Sequence, residues 1–396
     1  MAPVPVLHVI TRLANGGAAE NTIYTVNGLD PQRWRVDLAI GGDPGADEED
    51  QVEKLSIARH VTVYRVRELV RNPGLGELRA LRSLRRLIRN GGYRIVHTHG
   101  SKAGILGRAA AHHEGVPVII SGVHGHSFSP QMNPVARGLF RALERRAARY
   151  TTHFVSVGED LRDQYIAAGV GDAERFSVIH SGMELSRFIQ AGAMTEAERH
   201  TIRQELGIPQ KAVLFTMVGR MEPRKGHRFF VTAAAELAAR KRSVEGPSPV
   251  FAVVGDGPEQ TGLKAQAESL GVADRFFFVG YRHDVERMFA MTDVAVLTSL
   301  WEGLPRVLVQ AAATGRPAIS FACDGAGEVI GDGENGWVVP MRDTVAVADA
   351  MERLLIDAPL RKTMGAAARQ RVNESWTVES MVAAQDELYT RLLGEA

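Results

Sequence analysis

The 396-residue chain holds one cysteine, Cys323, so neither a disulfide framework nor a cysteine-rich zinc site can be built from it. That cysteine usage fits a reducing cytoplasm. An excess of one charge is missing too. Lys+Arg number 47 and Asp+Glu 46, a formal net charge of +1, which leaves no nucleic-acid footprint overall. No run of about 20 apolar residues occurs, so no transmembrane helix is expected. The opening stretch lacks a basic region and runs into Gly16-Gly17, so it reads as a first strand rather than a signal peptide. What is present is ordinary: 45% hydrophobic and 23% charged residues, with 40 Gly and 17 Pro, exclude disorder and collagen-like repeats. The length implies two or three domains at roughly 150 residues each.

Short β-branched runs alternate with longer helical patterns. Strands are expected at 6–11, 34–40, 61–66, 95–98, 118–121, 154–157 and 176–179, with helices such as 76–90 and 135–150 between them. A polar, Ala- and Glu-rich stretch follows at 189–208. The alternation then restarts, with strands at 213–218, 250–254, 276–279, 294–297, 317–321 and 337–339. Such patterning predicts an α/β chain of two Rossmann-like, doubly wound domains facing across a cleft, with ligands at the C-terminal ends of the strands. The boundaries read as 1–185 and 186–375. An amphipathic helix within 376–396 returns to the first domain.

Glycine turns mark the strand ends. Gly16-Gly17 joins the first strand to a helix, where backbone can approach an anion at the helix N-terminus or simply turn tightly. In the second half, Gly219-Arg220-Met221-Glu222-Pro223-Arg224-Lys225-Gly226 places two cations five apart on a loop entering a helix. Forked guanidinium donors and an ammonium point charge suit a diphosphate; the bland alternative is a solvated turn. Gly255-Asp256-Gly257-Pro258 is another such turn. Thr298-Ser299-Leu300-Trp301-Glu302-Gly303-Leu304-Pro305 sets a carboxylate just past a strand, where it would bind sugar hydroxyls.

In combination these motifs resemble the family 4 retaining glycosyltransferases of the GT-B fold. His97-Thr98-His99, Lys102-Ala103-Gly104, Val123-His124-Gly125, Glu328-Val329-Ile330 and Asn335-Gly336 extend the likeness over nearly the whole chain. The motifs are specific to family and fold, not to the sugar. The resemblance implies a nucleotide-sugar donor held mostly by the second domain. Arg220 and Lys225 would clamp the diphosphate and stabilise the leaving charge, so no metal is expected. His124 would lie by the donor sugar and Glu302 would contact its hydroxyls. Gly303 and Leu304 would support the hexose or phosphate, and the backbone at Gly280-Tyr281-Arg282 would frame the base. Gly16, Gly17, Gly219, Gly255 and Gly257 complete the expected binding set. One position departs: the family places a second glutamate, for the ribose hydroxyls, where this chain has Gln310. Glutamine keeps one acceptor oxygen but loses the charge that strengthens both hydrogen bonds.

Two features stand beside the motifs. His97 and His99 lie two apart, on one strand face, and His124 and His126 repeat that spacing. Four imidazoles are open to a zinc reading, to polar site lining or to packing. Residues 65–150 carry 16 Lys+Arg against 4 Asp+Glu, concentrated on two helical stretches. A basic amphipathic helix fits an anionic membrane surface as well as a solvated face.

The expected function is retaining transfer of a hexosyl unit from a nucleotide diphosphate sugar, UDP favoured over GDP, to an acceptor hydroxyl. A bacterial surface glycan or lipid-linked precursor is the expected acceptor, met in the cytoplasm or at the inner face of the membrane. The rival readings are a nucleotide-sugar 2-epimerase of the same fold and a silent nucleotide-sugar binder.

Overall fold

A computed structural model describes residues 2–13, 16–42, 56–70, 76–129, 132–240 and 247–396. Every strand and motif read above falls on described residues. Contacts divide the chain into two compact units: Met1–Met183 with Ser375–Ala396, and Glu184–Glu374.

The first unit holds a parallel sheet of β1 (Val4–Ile10), β2 (Trp34–Gly41), β3 (Thr62–Val66), β4 (Ile95–His99), β5 (Val118–Val123), β6 (His153–Ser156) and β7 (Phe176–Val178). Their order is β3-β2-β1-β4-β5-β6-β7. The second holds β8 (Val213–Val218), β9 (Pro249–Val254), β10 (Phe276–Gly280), β11 (Val294–Leu297), β12 (Ala318–Phe321) and β13 (Gly336–Val339). Its order, β10-β9-β8-β11-β12-β13, repeats the doubly wound pattern. All thirteen expected strands are present, their ends shifted by a residue or two.

Helices cover both faces, so the central strands are apolar on both sides. On β1, Val6 and Ile10 join a core with Leu388 and Tyr389, while Leu7 and Val9 join the opposite core with Leu84 and Ile88. The edge strand β3 shows the converse: only Val66 of its five residues is buried.

Helix Val378–Glu395 belongs to the first unit. Thr377 caps it, its hydroxyl accepting from the Ser380 amide at 3.2 Å. Met381, Leu388, Tyr389 and Leu392 face inward, each leucine-sized side chain contributing about 2 kcal/mol through burial. Asp386 takes hydrogen bonds from the Arg33 guanidinium at 2.5 Å and from the Trp34 indole.

Helix Glu77–Gly91 buries Ala80, Leu84 and Ile88 and turns Arg79, Arg82 and Arg86 outward; Arg85 and Arg89 share Glu114 at 2.6 and 2.8 Å. Helix Pro134–Ala148 is anchored by a buried Glu144–Arg108 pair at 2.5 Å. Its apolar side is not wholly packed: Val135 is 80% exposed and Leu139 58%, among Arg137, Arg145 and Arg146. Among the described residues no helix is long and apolar enough to cross a membrane.

Candidate functional site

In a doubly wound sheet the two central strands diverge at their C-terminal ends, and the opening there receives ligands. In the second unit those strands are β8 and β11. Their loops carry most of the expected donor residues.

The loop after β8 runs through Gly219 and Arg220 to a single turn, Pro223–Lys225, and then Gly226. Lys225 Nζ meets Glu302 Oε1 at 2.5 Å, and the Ser299 hydroxyl donates to the same oxygen at 2.7 Å. Arg224 Nη1 stands 3.6 Å from the other carboxylate oxygen, and its Nε holds Glu222 at 2.5 Å. Glu302 is 8% exposed, so its charge is held by an ammonium, a guanidinium and a hydroxyl rather than by water. Burial without such partners would cost several kcal/mol. Arg220 is exposed and makes no ion pair among the described residues, leaving its fork open to an anion.

Backbone hydrogen bonds fix these loops. Leu300 N donates to Arg224 O at 2.8 Å, and Met221 N to Asp256 O at 2.6 Å. The glycines answer to this packing. At Gly255 (φ 138°) a Cβ would sit 2.1 Å from Gly219 O, and at Gly257 (φ 147°) it would sit 2.4 Å from Met221 O. Close approach of neighbouring backbones therefore explains both residues without a ligand. Gly219 differs, since a Cβ there would meet nothing nearer than the Lys225 side chain at 3.9 Å.

The remaining expected residues lie on neighbouring loops. Tyr281 is 52% exposed, its ring edge-on to His283, and Arg282 is committed to Asp284 through bonds of 2.7 and 2.6 Å. Gly303 and the buried Leu304 lead into helix Arg306–Ala313, on which Gln310 is half-buried. His227 starts the helix after Gly226 with both ring nitrogens buried and unpartnered; burial and the nearby Lys225 lower its pKa to about 4.

In the first unit the central strands are β1 and β4. Gly16 and Gly17 begin helix Gly17–Gly28 and, with Thr11, Arg12, His99 and Gly100, line a cavity of about 300 Å³. A Cβ at Gly16 would meet nothing within 4 Å, so packing does not demand glycine there.

His99, which lines that cavity, belongs to an imidazole cluster. In register His8 pairs with His97, and His99 with Gly122. Period-two alternation puts His8, His97 and His99 on the face that helix Val378–Glu395 covers. His99 joins His8 (Nε2 to Nδ1) and His124 (Nδ1 to Nε2), both at 2.9 Å. Tyr389 Oη joins His97 Nδ1 at 2.7 Å and His8 Nε2 at 3.1 Å. A Cβ on Gly122 would fall 2.9–3.1 Å from nitrogens of His99, His124 and His97, so only glycine leaves room for these rings. Desolvation lowers the pKa of His8 to about 3 and of His124 to about 4, and holds His97 and His99 well below the usual imidazole range. All four are neutral at physiological pH.

The linked set differs from the one read by spacing. His124 and His126 follow β5 in a loop, where strand alternation does not apply, and His126 takes no part in these four bonds. His8 and Tyr389 replace it. His8, His97 and His99 could also converge on a metal, their ligand atoms lying within 4.8 Å of one another.

Residues 198–371 match the family of glycosyl transferases group 1, and residues 16–182 match a glycosyl transferase 4-like domain. The chain is 30% identical over 332 residues to a UDP-Gal:alpha-D-GlcNAc-diphosphoundecaprenol alpha-1,3-galactosyltransferase of Escherichia coli, covering 83% of this chain and 84% of that one. It is 30% identical over 278 residues, 68% of each chain, to a GDP-mannose-dependent alpha-(1-6)-phosphatidylinositol monomannoside mannosyltransferase of Mycobacterium tuberculosis. Among solved structures, Anabaena Alr3699/HepE in complex with UDP superposes with a TM-score of 0.81 at 21% identity, over 98% of this chain and 100% of that one. That likeness fixes the fold as GT-B.

Proposed function

Since the chain belongs to the group 1, family 4-like glycosyltransferases, we propose that it transfers a hexosyl unit from a UDP-sugar to an acceptor hydroxyl with retention at the anomeric carbon. The observation that carries this reading is the cationic loop after β8. Lys225 pairs with Glu302, whose carboxylate Ser299 also holds, and Arg220, five residues earlier on the same loop, makes no ion pair among the described residues.

Leaving of a nucleoside diphosphate develops negative charge on the β-phosphate. Fixed cations at that oxygen stabilise the transition state more than the ground state, and they need no reorganisation as the bond breaks. Arg220 supplies the fork and Lys225 the point charge. Glu302 holds Lys225 in place and accepts from sugar hydroxyls, and no metal is required. Gly303 and Leu304 support the hexose, Tyr281 and Arg282 frame the base, and Gln310 meets the ribose. His124 serves the donor sugar. Gly16 and Gly17, with no packing reason to be glycine at Gly16, admit the acceptor. The leaving phosphate takes the acceptor's proton, so no carboxylate nucleophile is invoked.

Support for a UDP-sugar and a lipid-linked acceptor comes from the printed activity of the Escherichia coli relative and from the UDP complex of the structural neighbour. The exposed Leu78, Val135 and Leu139 among outward arginines suit an anionic leaflet, each cation adding about 1 kcal/mol. The protein then works in the cytoplasm, at the inner face of the membrane. Donor consumption without acceptor tests the reading across UDP-, GDP- and ADP-sugars. Slow release of free sugar from a UDP-sugar supports it. An epimerised donor, or binding without turnover, would replace it with one of the rival activities. Co-sedimentation with anionic vesicles but not with neutral ones is the matching result for the membrane surface, and it should weaken as salt rises.

A further inference from the structure

A second cavity, of about 690 Å³, lies within the second unit at the opposite end of the sheet from the loops after β8 and β11. Asp293 and Pro317 on its wall immediately precede β11 and β12, whereas Glu302 follows β11. Five basic side chains line it, Arg199, Arg316, Arg361, Lys362 and Arg369, against one carboxylate, Asp293. That carboxylate is already committed. Its Oδ2 accepts from Arg203 Nη2 and from the Leu214 amide, both at 2.7 Å. None of the five cations forms an ion pair among the described residues.

Three of the arginines serve helix ends. Arg199 Nη2 donates to Gly192 O at 2.9 Å, Arg316 Nη2 to Ala290 O at 2.8 Å, and Arg361 Nη1 to Leu355 O at 3.0 Å and to Leu354 O. Those carbonyls close helices Ser186–Gly192, Val285–Met291 and Thr344–Ile356, whose negative ends favour a cation. Capping accounts for each of these arginines singly, but not for the surplus of charge they share. A guanidinium carries five N–H donors, and a cap occupies one or two of them. Nε of Arg199 and Nε of Arg316 are buried and without a hydrogen-bond partner. Lys362 and Arg369 cap nothing and bond to nothing among the described residues. Burial and the charge of Arg199 lower the pKa of Arg316 to about 10, so it stays protonated at neutral pH while facing a like charge. Guanidinium forks match phosphate oxygens in pairs, and an ammonium adds a point charge. A cavity of this volume is in the range of small-molecule sites. We propose that it binds a small soluble anion carrying more than one phosphoryl charge, an oligophosphate or a phosphorylated metabolite, at a site separate from that of the nucleotide sugar. This inference does not depend on the transferase reading.

Hydrogen exchange read by mass spectrometry on the full-length protein locates the anion without reference to catalysis. The probe is pyrophosphate, titrated in about 0.15 M salt so that long-range attraction is screened. Slowed exchange is expected in segments 192–199, 314–317 and 358–369, whether or not 219–226 and 299–305 also respond. Slowing confined to 219–226 and 299–305 would overturn the proposal, as would no slowing anywhere. The pyrophosphate concentration that gives half the slowing at 358–369 is the second readout. Lys362→Gln with Arg369→Gln leaves the three helix caps intact and should raise that concentration at least tenfold, with Tm unchanged or higher. Arg220→Gln, on the loop after β8, should not move it. An unchanged midpoint in the double variant, or an equal shift in Arg220→Gln, would overturn the proposal. Slowing by vesicles containing phosphatidic acid but none by pyrophosphate would assign the cavity to a lipid headgroup and overturn it as a site for a soluble anion.

Discussion

The two units repeat one strand order but prepare opposite kinds of chemistry at the ends of their central strands. In the second unit the loops present charge: Arg220 and Lys225 with Glu302 on backbone held by tightly packed glycines. In the first unit the central strands present neutral, desolvated imidazoles linked to one another and to Tyr389. One topology thus supports a site that stabilises charge and a site from which charge is excluded. The difference lies in side-chain choice at equivalent strand ends, not in the fold.

The sharpest way to break this contrast is to remove its charge. Lys225→Ala should lower kcat for donor turnover about 1,000-fold, the scale of losing one preorganised charge-stabilising donor. Its thermal stability should fall as well, since the buried Glu302 then keeps only the Ser299 hydroxyl and the more distant Arg224. Steady-state kinetics and a thermal melt check the two halves of that statement.

Acid should separate the units next. Imidazole pKa values in the first unit are lowered to about 3 for His8 and about 4 for His124 and His153, chiefly by desolvation, and are held well below the usual imidazole range for His97 and His99. The unfolded chain takes up protons as pH falls through about 6.5, while the folded chain stays unprotonated until about 4 or below. Stability is therefore full above about pH 6.5 and is lost progressively toward pH 4. In the second unit burial lowers the pKa of His227 to about 4. Tryptophan fluorescence and hydrogen exchange from pH 7.5 to 4.5 should show first-unit amides losing protection before second-unit amides. Simultaneous loss would contradict the contrast.

Glycine substitution sharpens it further. Gly255→Ala forces a Cβ to within 2.1 Å of a neighbouring carbonyl and should cost about 3 kcal/mol, lowering Tm by roughly 5–10 °C. Gly16→Ala meets nothing within 4 Å and should leave Tm within about 2 °C, with any effect appearing in acceptor KM instead. The smallest expected change is Gln310→Glu. A charged acceptor for the ribose should lower donor KM about fivefold, read from initial rates against donor concentration.

Legibility in the sequence followed the same division. Most of the thirteen strands could be read because parallel strands buried on both faces are near-continuous β-branched runs, as in Val213–Val218. The exposed edge strand β3 was legible from its β-branched and aromatic composition alone. The second unit's cations and carboxylate were legible because each lies within a few residues of a strand end and a glycine. Their partners were less so: Arg224 and Ser299 sit inside quoted motifs, but only the folded loops bring them to Glu302. The first unit's cluster was half hidden. His97 and His99 announce themselves by spacing, whereas His8 is a lone histidine in an apolar strand and Tyr389 lies 292 residues from His97. Strand register and the returning helix bring these residues together, and no local pattern encodes either. The need for Gly122 was equally invisible, because it arises from three rings on two chain segments.

The central claim is that the second unit binds a nucleotide diphosphate through the Arg220–Lys225 loop without help from a metal. Calorimetric titration of UDP into the wild type and Lys225→Ala, both in excess EDTA, tests it directly. The account predicts saturable one-to-one binding by the wild type and at least tenfold weaker binding by Lys225→Ala. Equal affinity in the two proteins, or wild-type binding that appears only when a divalent metal is restored, would contradict it.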